Sequence, residues 1–569
     1  MKFRWSLAPA QPLLAGALAS ELKLSPLLAQ CLVNRGFSEP AAIGAFLQPR
    51  LKHLADPFLL PNMGAAVERL FRAREKNEAL VIFGDYDVDG VTSTALLTET
   101  LRALGWQVNY YLPHRMEEGY GLSQDGAENC LRKFPVTLLL AVDCGSTATG
   151  AIAWLREQGV DVLVLDHHQI SSPAPAAVAL VNPQLATGPF RELCSAGLAF
   201  KLAHAVVKRG RELGIAAAQN FDVRPLLDLV ALGTIADLVP LTGENRILVA
   251  MGLERLGMTP RPGLVALKQV AQVGATLGVY EVGFQLAPRL NAAGRLENAE
   301  EALQLLMAPD LATAEPIARS LDMRNRERQK IERGIADEVI GAVRARFNPQ
   351  TDFVIVEGQL MWHVGVVGIV ASRVLQQFYR PTIIVGGDGD AWRGSGRSIA
   401  GFDLAAALCE CQDLLVKHGG HAMAAGLTIQ AEQLEAFRTR LNELARRALK
   451  PEELQPALRL DGELALKELT VESLEELERL KPMGQGNPVV QLVSRNLTQS
   501  RPLLRMGPEK QHVKLWVTDG ATTHEAVWWG AGKQAALPVG RFDMAFAPQI
   551  NEYNGRRTVQ LKLLDWSAT

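Results

Sequence analysis

The sequence predicts an α/β protein in which two α/β lobes are joined by a long helix and followed by a C-terminal β-barrel. Three observations predict this class. Apolar runs of strand length alternate with helical stretches from about residue 51 to residue 258. Residues 316–347 combine helical apolar spacing with dense alternating charge, and no proline follows Pro316. Beyond residue 510, apolar and polar residues alternate between turn signals.

The first 258 residues predict two segments. Residues 1–50 contain short apolar stretches separated by Pro and Gly, which indicates an accessory segment of short helices ending near Pro49. Residues 51–258 are expected to form a doubly wound domain. Its clearest strands are predicted at 79–83, 138–142 and 160–165, and its clearest helices at 91–104 and 145–158.

The sequence of residues 259–450 predicts a segment that connects the two lobes, followed by the second lobe. Residues 259–347 are expected to connect the lobes and to end in the long helix. Residues 348–450 predict a smaller α/β lobe, with strands at 353–356 and 382–385 around a helix at 368–378. The segment GDGDAWRGSGRS places Arg393, Ser395, Arg397 and Ser398 among small residues that would let backbone N–H groups approach an anion. An ordinary glycine-rich loop is the alternative.

Residues 451–569 predict a polar linker with a helix, up to about residue 480, and then an all-β module. Turn signals stand at Asp519–Gly520 and Asn554–Gly555. A Greek-key barrel of the OB type fits this pattern, with an oligonucleotide-binding face that combines aromatic and basic side chains. The residues expected on that face are His512, Lys514, Trp516, Trp528, Tyr553, Arg556 and Arg557. Each tryptophan fits the barrel core equally well.

Composition limits the function classes. The 569 residues are 48% hydrophobic and carry a formal net charge of −2, so any nucleic-acid contact must come from local basic patches. The six cysteines lack zinc or redox spacing, which favours reduced thiols in the cytoplasm. Pro9 and Pro12 interrupt the apolar N-terminal stretch, which argues against a signal peptide. No apolar run approaches the roughly 18 residues of a membrane span.

Four short polar segments follow apolar runs: GDYDVDG at 84–90, VDCG at 142–145, DHH at 166–168 and IADLVP at 235–240. We interpret the runs as buried parallel strands, whose carboxyl ends meet at one edge of a sheet, where ligands bind. Seven side chains would then share one crevice: Asp85, Asp87, Asp89, Asp143, His167, His168 and Asp237.

This crevice is predicted to be a divalent-metal site, because five carboxylates cannot be desolvated together without cations. Oxygen donors with one or two imidazoles favour Mn²⁺ or Mg²⁺, and the number of candidates suits two ions about 3.5 to 4 Å apart. Asp143 is the candidate bridging ligand. A calcium loop starting at Asp85 would need glutamate at its twelfth position, which is Leu96. A solvated turn at residues 84–90 and a helix-capping role for Asp237 remain alternatives.

The four segments, in this order, resemble the motifs of the DHH phosphoesterases. GRSIAGFDL at 396–404 and HGGHAMAAGLTI at 418–429 resemble the DHH-associated domain of that superfamily. Further segments, YLPHRMEEGYGL, APRLNAAGRL, WHVGVVGIVASR and KPMGQGNP, extend the likeness over nearly the whole chain to the RecJ family of bacterial single-strand-specific exonucleases. Many superfamily members have histidine where this chain has Phe83, and Asp85 is expected to take that ligand's place.

The resemblance implies roles for individual residues. Asp85, Asp87 and Asp143 would hold one ion, and Asp89, Asp143, His167 and Asp237 the other. His168 would contact the scissile phosphate. A pocket for the terminal 5′ phosphate would be lined by Arg115, Arg289, Ser395 and Arg397, and His421 is a further candidate for binding substrate phosphate.

The leading functional hypothesis is therefore a metal-dependent 5′-to-3′ exonuclease that degrades single-stranded DNA to mononucleotides in recombination and repair. Single-strand-binding protein and a RecQ-type helicase are implied as partners of a monomeric enzyme with no membrane association. The main alternative is a DHH phosphodiesterase acting on short oligonucleotides, cyclic dinucleotides or pyrophosphate, although such relatives are generally shorter and lack the terminal β module. A scaffold without metals is disfavoured because all four motifs are intact.

Overall fold

The computed structural model describes residues 3–114, 118–119, 121–296, 298–387, 389, 391–532 and 536–569. The chain divides into two compact units. The first unit comprises Ala41–Arg326 and Leu480–Pro488, and the second comprises Met1–Pro40, Glu327–Arg479 and Val489–Thr569. The predicted α/β class is confirmed, whereas the five segment boundaries drawn from the sequence remain predictions.

The first unit is built on a five-stranded parallel sheet. In spatial order its strands are Val108–Tyr111, Leu80–Gly84, Leu138–Val142, Asp161–Leu165 and Ala179–Val181. Numbered along the chain, this order is 2-1-3-4-5, so the winding direction reverses between the strands Leu80–Gly84 and Leu138–Val142. In doubly wound sheets, ligands bind outside the carboxyl ends of the strands at such a switch point.

Both faces of this sheet are buried. Ile82 and Leu140 pack into one hydrophobic cluster, and Val81 and Leu139 pack into another. Double-sided burial explains why these strands are continuous apolar runs rather than alternating patterns. The helices of the unit, including the π-helix Val282–Leu286, are Met63–Glu75, Val88–Ala103, Gln124–Lys133, Thr149–Glu157, Ser195–Glu212, Ala216–Asn220, Leu227–Ala236, Gly243–Gly257, Pro262–Ala271, Val279–Glu281, Val282–Leu286, Ala287–Leu296 and Glu300–Leu306.

The predicted long helix is present as Leu311–Arg346, with 36 residues, and it runs from the first unit into the second. It begins five residues earlier than Pro316, which lies inside the helix and removes a single N–H donor there. Among the described residues, no helix is long and apolar enough to cross a membrane.

The second unit contains a mixed five-stranded sheet and a β-barrel. The mixed sheet has the spatial order Lys417–His421, Ala424–Gln430, Ala391–Arg397, Thr382–Gly387 and Ile355–Leu360. The barrel sheet has the order Gly462–Glu463, Leu492–Gln499, Phe542–Tyr553, Arg556–Ala568, Thr523–Trp528, His512–Thr518 and Leu504–Met506. Leu492–Gln499 also pairs with His512–Thr518, which closes the barrel. Helices of this unit are Pro12–Leu22, Pro26–Asn34, Val367–Phe378, Leu404–Cys409, Leu434–Ala448 and Val471–Glu478, and Pro40–Leu47 lies at its boundary.

Two sequence predictions about the ends of this unit were incomplete. The first 50 residues contain three helices that begin at proline, as expected, but also the strand Arg4–Leu7. This strand pairs in parallel with Ala457–Leu460, inside the region that had been predicted as a polar linker and helix. Four-residue strands are too short to show a clear alternation in sequence.

The prediction of an anion-binding loop at GDGDAWRGSGRS was wrong. Residues 391–397 form a strand that pairs on both sides, with Thr382–Gly387 and with Ala424–Gln430. Its backbone N–H groups therefore face partners in a sheet and do not form a concave anion nest. Any contribution of Arg393, Ser395 or Arg397 to anion binding must come from their side chains.

Candidate metal centre

The polar segments meet because of strand register. Gly84 lies opposite Val142, and Val142 lies opposite Leu165. The residues that follow these strand ends, Asp85, Asp143 and Asp166, therefore begin at the same edge of the sheet. This edge is the switch point of the doubly wound fold.

Asp87 and Asp89 are positioned by two helix N-termini. Asp87 caps the helix Val88–Ala103, since its Oδ1 accepts hydrogen bonds from the backbone N–H groups of Asp89 (2.9 Å) and Gly90 (3.2 Å). Asp89 accepts hydrogen bonds from Ser195 N (2.7 Å) and Ala196 N (2.8 Å), at the start of the helix Ser195–Glu212. The positive end of that helix thus stabilises a carboxylate that is buried.

Asp143 occupies a strained backbone position. Its φ of 64° lies in the left-handed region, which residues other than glycine rarely adopt. The Ser195 hydroxyl donates to Asp143 Oδ1 at 2.9 Å and fixes the buried carboxylate. The backbone conformation and the hydrogen bond together fix the orientation of the Asp143 side chain, which is the candidate bridging ligand.

The carboxylates surround one imidazole. His167 Nε2 lies 3.5 Å from Asp143 Oδ1, 3.5 Å from Asp237 Oδ2 and 3.9 Å from Asp89 Oδ2. Burial, reinforced by the neighbouring His168, lowers the pKa of His167 to about 4. A neutral imidazole is the form that binds metal ions.

Asp237 reaches the site from a helix rather than from a strand, so the expectation of a strand before the fourth segment was wrong. It follows the helix Leu227–Ala236 as its C-cap. Burial, together with Asp89 and Asp87, raises the pKa of Asp237 to about 9. A carboxylate at the negative end of a helix gains nothing from the helix dipole, so its placement needs another source of stabilisation.

Burial and neighbouring negative charges also raise the pKa values of Asp89 and Asp143. Burial and then the charge of Asp87 raise the pKa of Asp89 to about 6. Burial, followed by Asp89 and Asp87, holds the pKa of Asp143 well above its usual range. Divalent cations would stabilise the ionised form of these buried carboxylates by compensating their negative charge.

The donor set fits a divalent metal. Among the described residues, the buried atoms His167 Nε2 and Asp237 Oδ2 have no hydrogen-bond partner. Ligand atoms of Asp85, Asp87 and Asp143 all lie within 4.8 Å of one another. The same is true of Asp143, His167 and His168, so Asp143 belongs to both groups. This arrangement agrees with the expected bridge, although the assignment of ligands remains a prediction.

A cysteine also lies at the site. Cys194 Sγ is within 4.8 Å of ligand atoms of Asp89 and Asp237. Burial holds the pKa of its thiol well above the usual range. The thiol donates a hydrogen bond to Thr234 Oγ1 at 3.5 Å, and the sequence had not marked Cys194 as a candidate ligand.

His168 is held in a different state from His167. Its Nδ1 lies 2.7 Å from Asp166 Oδ1, and Asp166 also accepts hydrogen bonds from the backbone N–H groups of Ser146 (2.9 Å) and His168 (3.1 Å). Burial, the largest single cause, would lower the pKa of His168. The hydrogen bond to Asp166, together with the negative charges of Asp166, Asp237 and Asp85, raises this pKa to about 9. The hydrogen bond to Asp166 thus favours the protonated form of His168.

Several positioning residues were not found by sequence reasoning. Asp166 was seen only as part of the DHH segment, and Ser195 and Ala196 carry no motif. Asn291 Oδ1 accepts a hydrogen bond from Val88 N at 3.1 Å, which ties the APRLNAAGRL helix to the first acidic segment. A β-carbon at Gly294 would lie 2.7 Å from the Tyr86 carbonyl oxygen, so this contact requires glycine.

The KPMGQGNP segment braces the residues after Asp237. Leu241 N donates to Gln485 O at 2.7 Å. The buried Arg246 guanidinium donates to the carbonyl oxygens of Leu480, Lys481 and Pro482. This segment therefore belongs to the first unit although it lies about 240 residues further along the chain.

The residues expected to bind a terminal phosphate have varied surroundings. Arg115 lies outside the described residues. Arg289 Nε donates to Asp322 Oδ1 at 2.9 Å. In the second unit, Arg397 Nη1 donates to Ser395 Oγ at 3.0 Å, and His421 is an exposed residue at the end of its strand. The two side chains Ser395 and Arg397 share one face of the strand, so they can act together.

In the barrel, one face of the strand His512–Thr518 is buried in the core and the other face is partly exposed. Val513, Leu515 and Val517 are buried, whereas Lys514 and Trp516 lie on the other face, which places Trp516 outside the core. The Arg501 guanidinium stacks over the Trp516 ring at 3.8 Å. His512 and Trp528 are likewise half-buried.

The basic residues of the barrel differ in their availability. Lys514 pairs with Glu525 at 3.0 Å, and Arg557 pairs with Glu475. Tyr553 and Arg556 are exposed and flank the turn at Asn554 and Gly555, both of which have positive φ. Tyr553 and Arg556 are consequently the more accessible candidates for DNA contact.

Known families match three parts of the chain. Residues 79–234 match the N-terminal domain of the DHH family, residues 351–447 match the DHHA1 domain, and residues 460–565 match the RecJ OB domain. A single-stranded-DNA-specific exonuclease RecJ from Bacillus subtilis is 38% identical over 99% of this chain and 71% of the relative. The chain belongs to the RecJ family.

Solved RecJ structures agree with this assignment. RecJ from Thermus thermophilus in complex with Mn²⁺ has a TM-score of 0.85 and 30% identity, covering all of this chain and 80% of that one. The same protein in complex with Mg²⁺ has a TM-score of 0.79 and 28% identity, covering all of this chain and 78% of that one. The predicted fold is thereby confirmed, and members of the family bind the two divalent metals that the donor set favours.

Proposed function

We propose that this chain is a divalent-metal-dependent exonuclease that degrades single-stranded DNA in the 5′-to-3′ direction to mononucleotides, in recombination and repair. One observation carries the proposal above all. Three buried or half-buried carboxylates, Asp89, Asp143 and Asp237, converge on His167 Nε2 at 3.5 to 3.9 Å. Family membership supplies the substrate class, because the RecJ relatives are single-stranded-DNA-specific exonucleases.

Two Mn²⁺ or Mg²⁺ ions are proposed at this centre. Asp85, Asp87 and Asp143 would hold one ion, and Asp89, Asp143, His167 and Asp237 would hold the other. Bound divalent ions supply charge neutralisation for a phosphodiester, a nucleophile at neutral pH and stabilisation of the leaving oxygen. Asp89 and Asp143 would keep their orientation through the Ser195 contacts during the reaction.

His168 is proposed to bind the scissile phosphate. Its raised pKa keeps the imidazole charged near neutral pH, so it can donate a charge-assisted hydrogen bond to a phosphate oxygen. Asp166 holds Nδ1, which directs Nε2 as the second donor. Asp166 is thus a positioning residue, because it acts through His168 rather than on the substrate.

Polarity is proposed to come from recognition of the 5′ phosphate. Arg397 and Ser395 offer a guanidinium and a hydroxyl on one strand face, which suits phosphate. Arg115, Arg289 and His421 are proposed as further phosphate-binding residues because they match family positions. The barrel would hold the remainder of the strand through Tyr553 and Arg556, with Lys514, Trp516 and Arg557 as further contacts. We further propose a monomeric cytoplasmic enzyme that works with single-strand-binding protein and a RecQ-type helicase.

The test is a comparison of labelled substrates. Purified protein with Mn²⁺ is incubated with 5′- and 3′-labelled single-stranded DNA, blunt duplex, single-stranded RNA and a dinucleotide. The proposal predicts that a 5′ label appears at once as mononucleotide, whereas a 3′ label remains on progressively shorter strands, and that duplex persists. Degradation restricted to the dinucleotide would contradict it and favour a phosphodiesterase of short oligonucleotides.

A further inference from the structure

In the first unit, Arg289 shares a carboxylate with a second arginine. Asp322, on the long helix Leu311–Arg346, accepts a hydrogen bond from Arg289 Nε through Oδ1 and pairs with Arg326 Nε through Oδ2, each at 2.9 Å. The side chains of Arg289 and Asp322 are 16% and 11% exposed, whereas that of Arg326 is 75% exposed. Two guanidinium groups thus face one carboxylate, and the three side chains together keep a net positive charge.

The Arg289 guanidinium is fixed at two of its nitrogens. Besides Nε, which donates to Asp322, Nη1 donates to the carbonyl oxygen of Gln285 at 2.5 Å. Gln285 belongs to the π-helical turn Val282–Leu286, a backbone irregularity of a kind that occurs frequently at functional sites. Nη2 donates to none of the residues that the structure describes, so this nitrogen of a partly exposed, immobilised cation is available to an anion.

An ion pair that only stabilised the fold would not need this arrangement. Exposed pairs contribute little to stability. A buried pair is often no more stabilising than apolar residues of similar volume, because both charges lose their hydration. Asp322 also does not cancel the charge of Arg289, since Arg326 shares the same carboxylate. The arrangement instead suits a cation that must keep both its charge and one orientation, as recognition of a phosphate requires.

The helix that carries Arg289 is packed against the metal centre. Asn291, further along the helix Ala287–Leu296, accepts a hydrogen bond at 3.1 Å from Val88 N, directly after Asp87. The same helix therefore supports the first acidic segment and carries the guanidinium. A phosphate bound to Arg289 can consequently belong to the strand whose scissile bond reaches the metal centre.

We propose that Asp322 is a positioning residue, which holds the Arg289 guanidinium so that Nη2 donates to the terminal 5′ phosphate of the DNA strand. The inference rests on the proposed function and deepens it, because it names the group that sets the geometry of phosphate recognition. Asp322 acts through Arg289 and makes no contact with the substrate. Arg326 keeps the cluster positive, so the carboxylate orients the guanidinium without cancelling its attraction for a phosphate.

The experiment measures KM and kcat of the full-length protein with Mn²⁺ on oligothymidylates that carry either a 5′ phosphate or a 5′ hydroxyl. The parent is expected to show the lower KM for the phosphorylated strand. Asp322→Asn keeps the side-chain volume but removes the charge and turns an NH₂ donor towards one of the two arginines. KM for the phosphorylated strand should rise by about 10- to 150-fold, the range for loss of a hydrogen bond to a charged group. KM for the hydroxyl strand, and kcat on both strands, should stay within about threefold of the parent.

A double-mutant cycle separates positioning from other roles. Arg289→Ala alone should remove the same phosphate preference, and adding Asp322→Asn to it should cause no further loss, because the two residues act as one unit. Glu301→Gln is the matched control. It breaks another ion pair of the long helix, that of Arg324 with Glu301 at 3.2 Å, and should keep the preference of the parent.

Thermal melting of each variant measures whether the fold is retained. If Asp322→Asn does not fold, Asp322→Glu takes its place. Glutamate keeps the negative charge but displaces the carboxylate by one methylene, so it should misplace the guanidinium and cause the same selective loss on the phosphorylated strand.

An unchanged phosphate preference in the folded Asp322 variant would overturn the proposal. Equal losses on both strands would also overturn it, because they would assign Asp322 a purely structural role. A further loss of preference in the Arg289→Ala background would show that Asp322 acts independently of Arg289, with the same consequence. A parent protein with equal KM for both strands would instead contradict the proposed recognition of the 5′ phosphate, so the two failures are distinguishable.

Discussion

Substitution of Asp166 by asparagine tests the electrostatics of the site without removing a candidate ligand. The carboxylate accepts three hydrogen bonds, from Ser146 N, His168 N and His168 Nδ1, at 2.9, 3.1 and 2.7 Å. An amide retains one acceptor oxygen and places an NH₂ donor against donors. A hydrogen bond to a charged group contributes about 1.5–3 kcal/mol, so Asp166→Asn should lower kcat on single-stranded DNA by about 10- to 150-fold.

The same substitution should alter the pH profile. With Asp166 present, the pKa of His168 is raised to about 9, so the imidazolium persists as the pH rises through 7 and 8 and is lost only near 9. Without the carboxylate, this pKa should fall towards the ordinary value of about 6.5, and the variant should lose activity at a lower pH than the parent.

The assay measures kcat against pH at saturating Mn²⁺ and counts bound Mn²⁺ by calorimetry. Metal stoichiometry should be unchanged, because Asp166 is not a candidate ligand. Asp125→Asn, an exposed position in the same unit, is the matched control. A kcat within about threefold of the parent with an unshifted pH profile, or loss of the metal together with activity, would refute the reasoning.

Four further outcomes are expected. Asp143→Ala should reduce cleavage by far more than about tenfold, while the metal-free variant melts no lower than the metal-free parent, since a buried carboxylate with a raised pKa has been removed. Mn²⁺ affinity should increase as the pH rises from about 6 to about 9. The raised pKa values of Asp89 and Asp237 mean that these carboxyl groups must lose protons before the metal binds. Calorimetry in buffers of different ionisation enthalpy measures this proton release. Arg397→Ala should slow cleavage of 5′-phosphorylated strands by about 10- to 150-fold and erase most of their advantage over 5′-hydroxyl strands, whereas equal losses on both would place Arg397 at the scissile phosphate. Arg556→Ala should weaken binding of long single strands and reduce the magnitude of the salt slope by about 1, measured by fluorescence anisotropy, and an unchanged slope would exclude a phosphate contact.

The sequence predicted the sheet edge well, for a physical reason. A strand buried on both faces must be continuously apolar, so its end is visible wherever an acidic residue follows, as at Gly84 and Val142. Parallel pairing then brings the strand ends together without further information. The predicted strand 138–142 coincides with the observed one, and the others differ by a residue at their ends.

The supporting hydrogen bonds could not be predicted in the same way. Asp89 is held by backbone N–H groups of Ser195 and Ala196, more than 100 residues away in sequence. Every residue has such an N–H group, so nothing in the side-chain pattern marks these two. Asp166 was visible in the sequence, but its role depends on the geometry of His168, which only the structure supplies.

The glycine-rich segment shows where composition misleads. Gly, Ser and Arg are typical of loops, but here the glycines leave room for neighbouring side chains that pack against the sheet. A β-carbon at Gly396 would lie 2.6 Å from Leu404 Cδ2, and one at Gly394 would lie 3.1 Å from Leu427 Cδ1. Because side chains that are distant in sequence leave no room for a β-carbon at these positions, the strand Ala391–Arg397 has a composition that is typical of a turn.

The central claim is that the carboxylate and histidine cluster holds two divalent ions. Anomalous diffraction from crystals soaked in Mn²⁺ tests it most directly. Two peaks are predicted at the switch point of the parallel sheet, one contacted by Asp85 and Asp87, the other by Asp89, His167 and Asp237, with Asp143 contacting both. A single peak, or peaks that Asp143 does not join, would contradict the account.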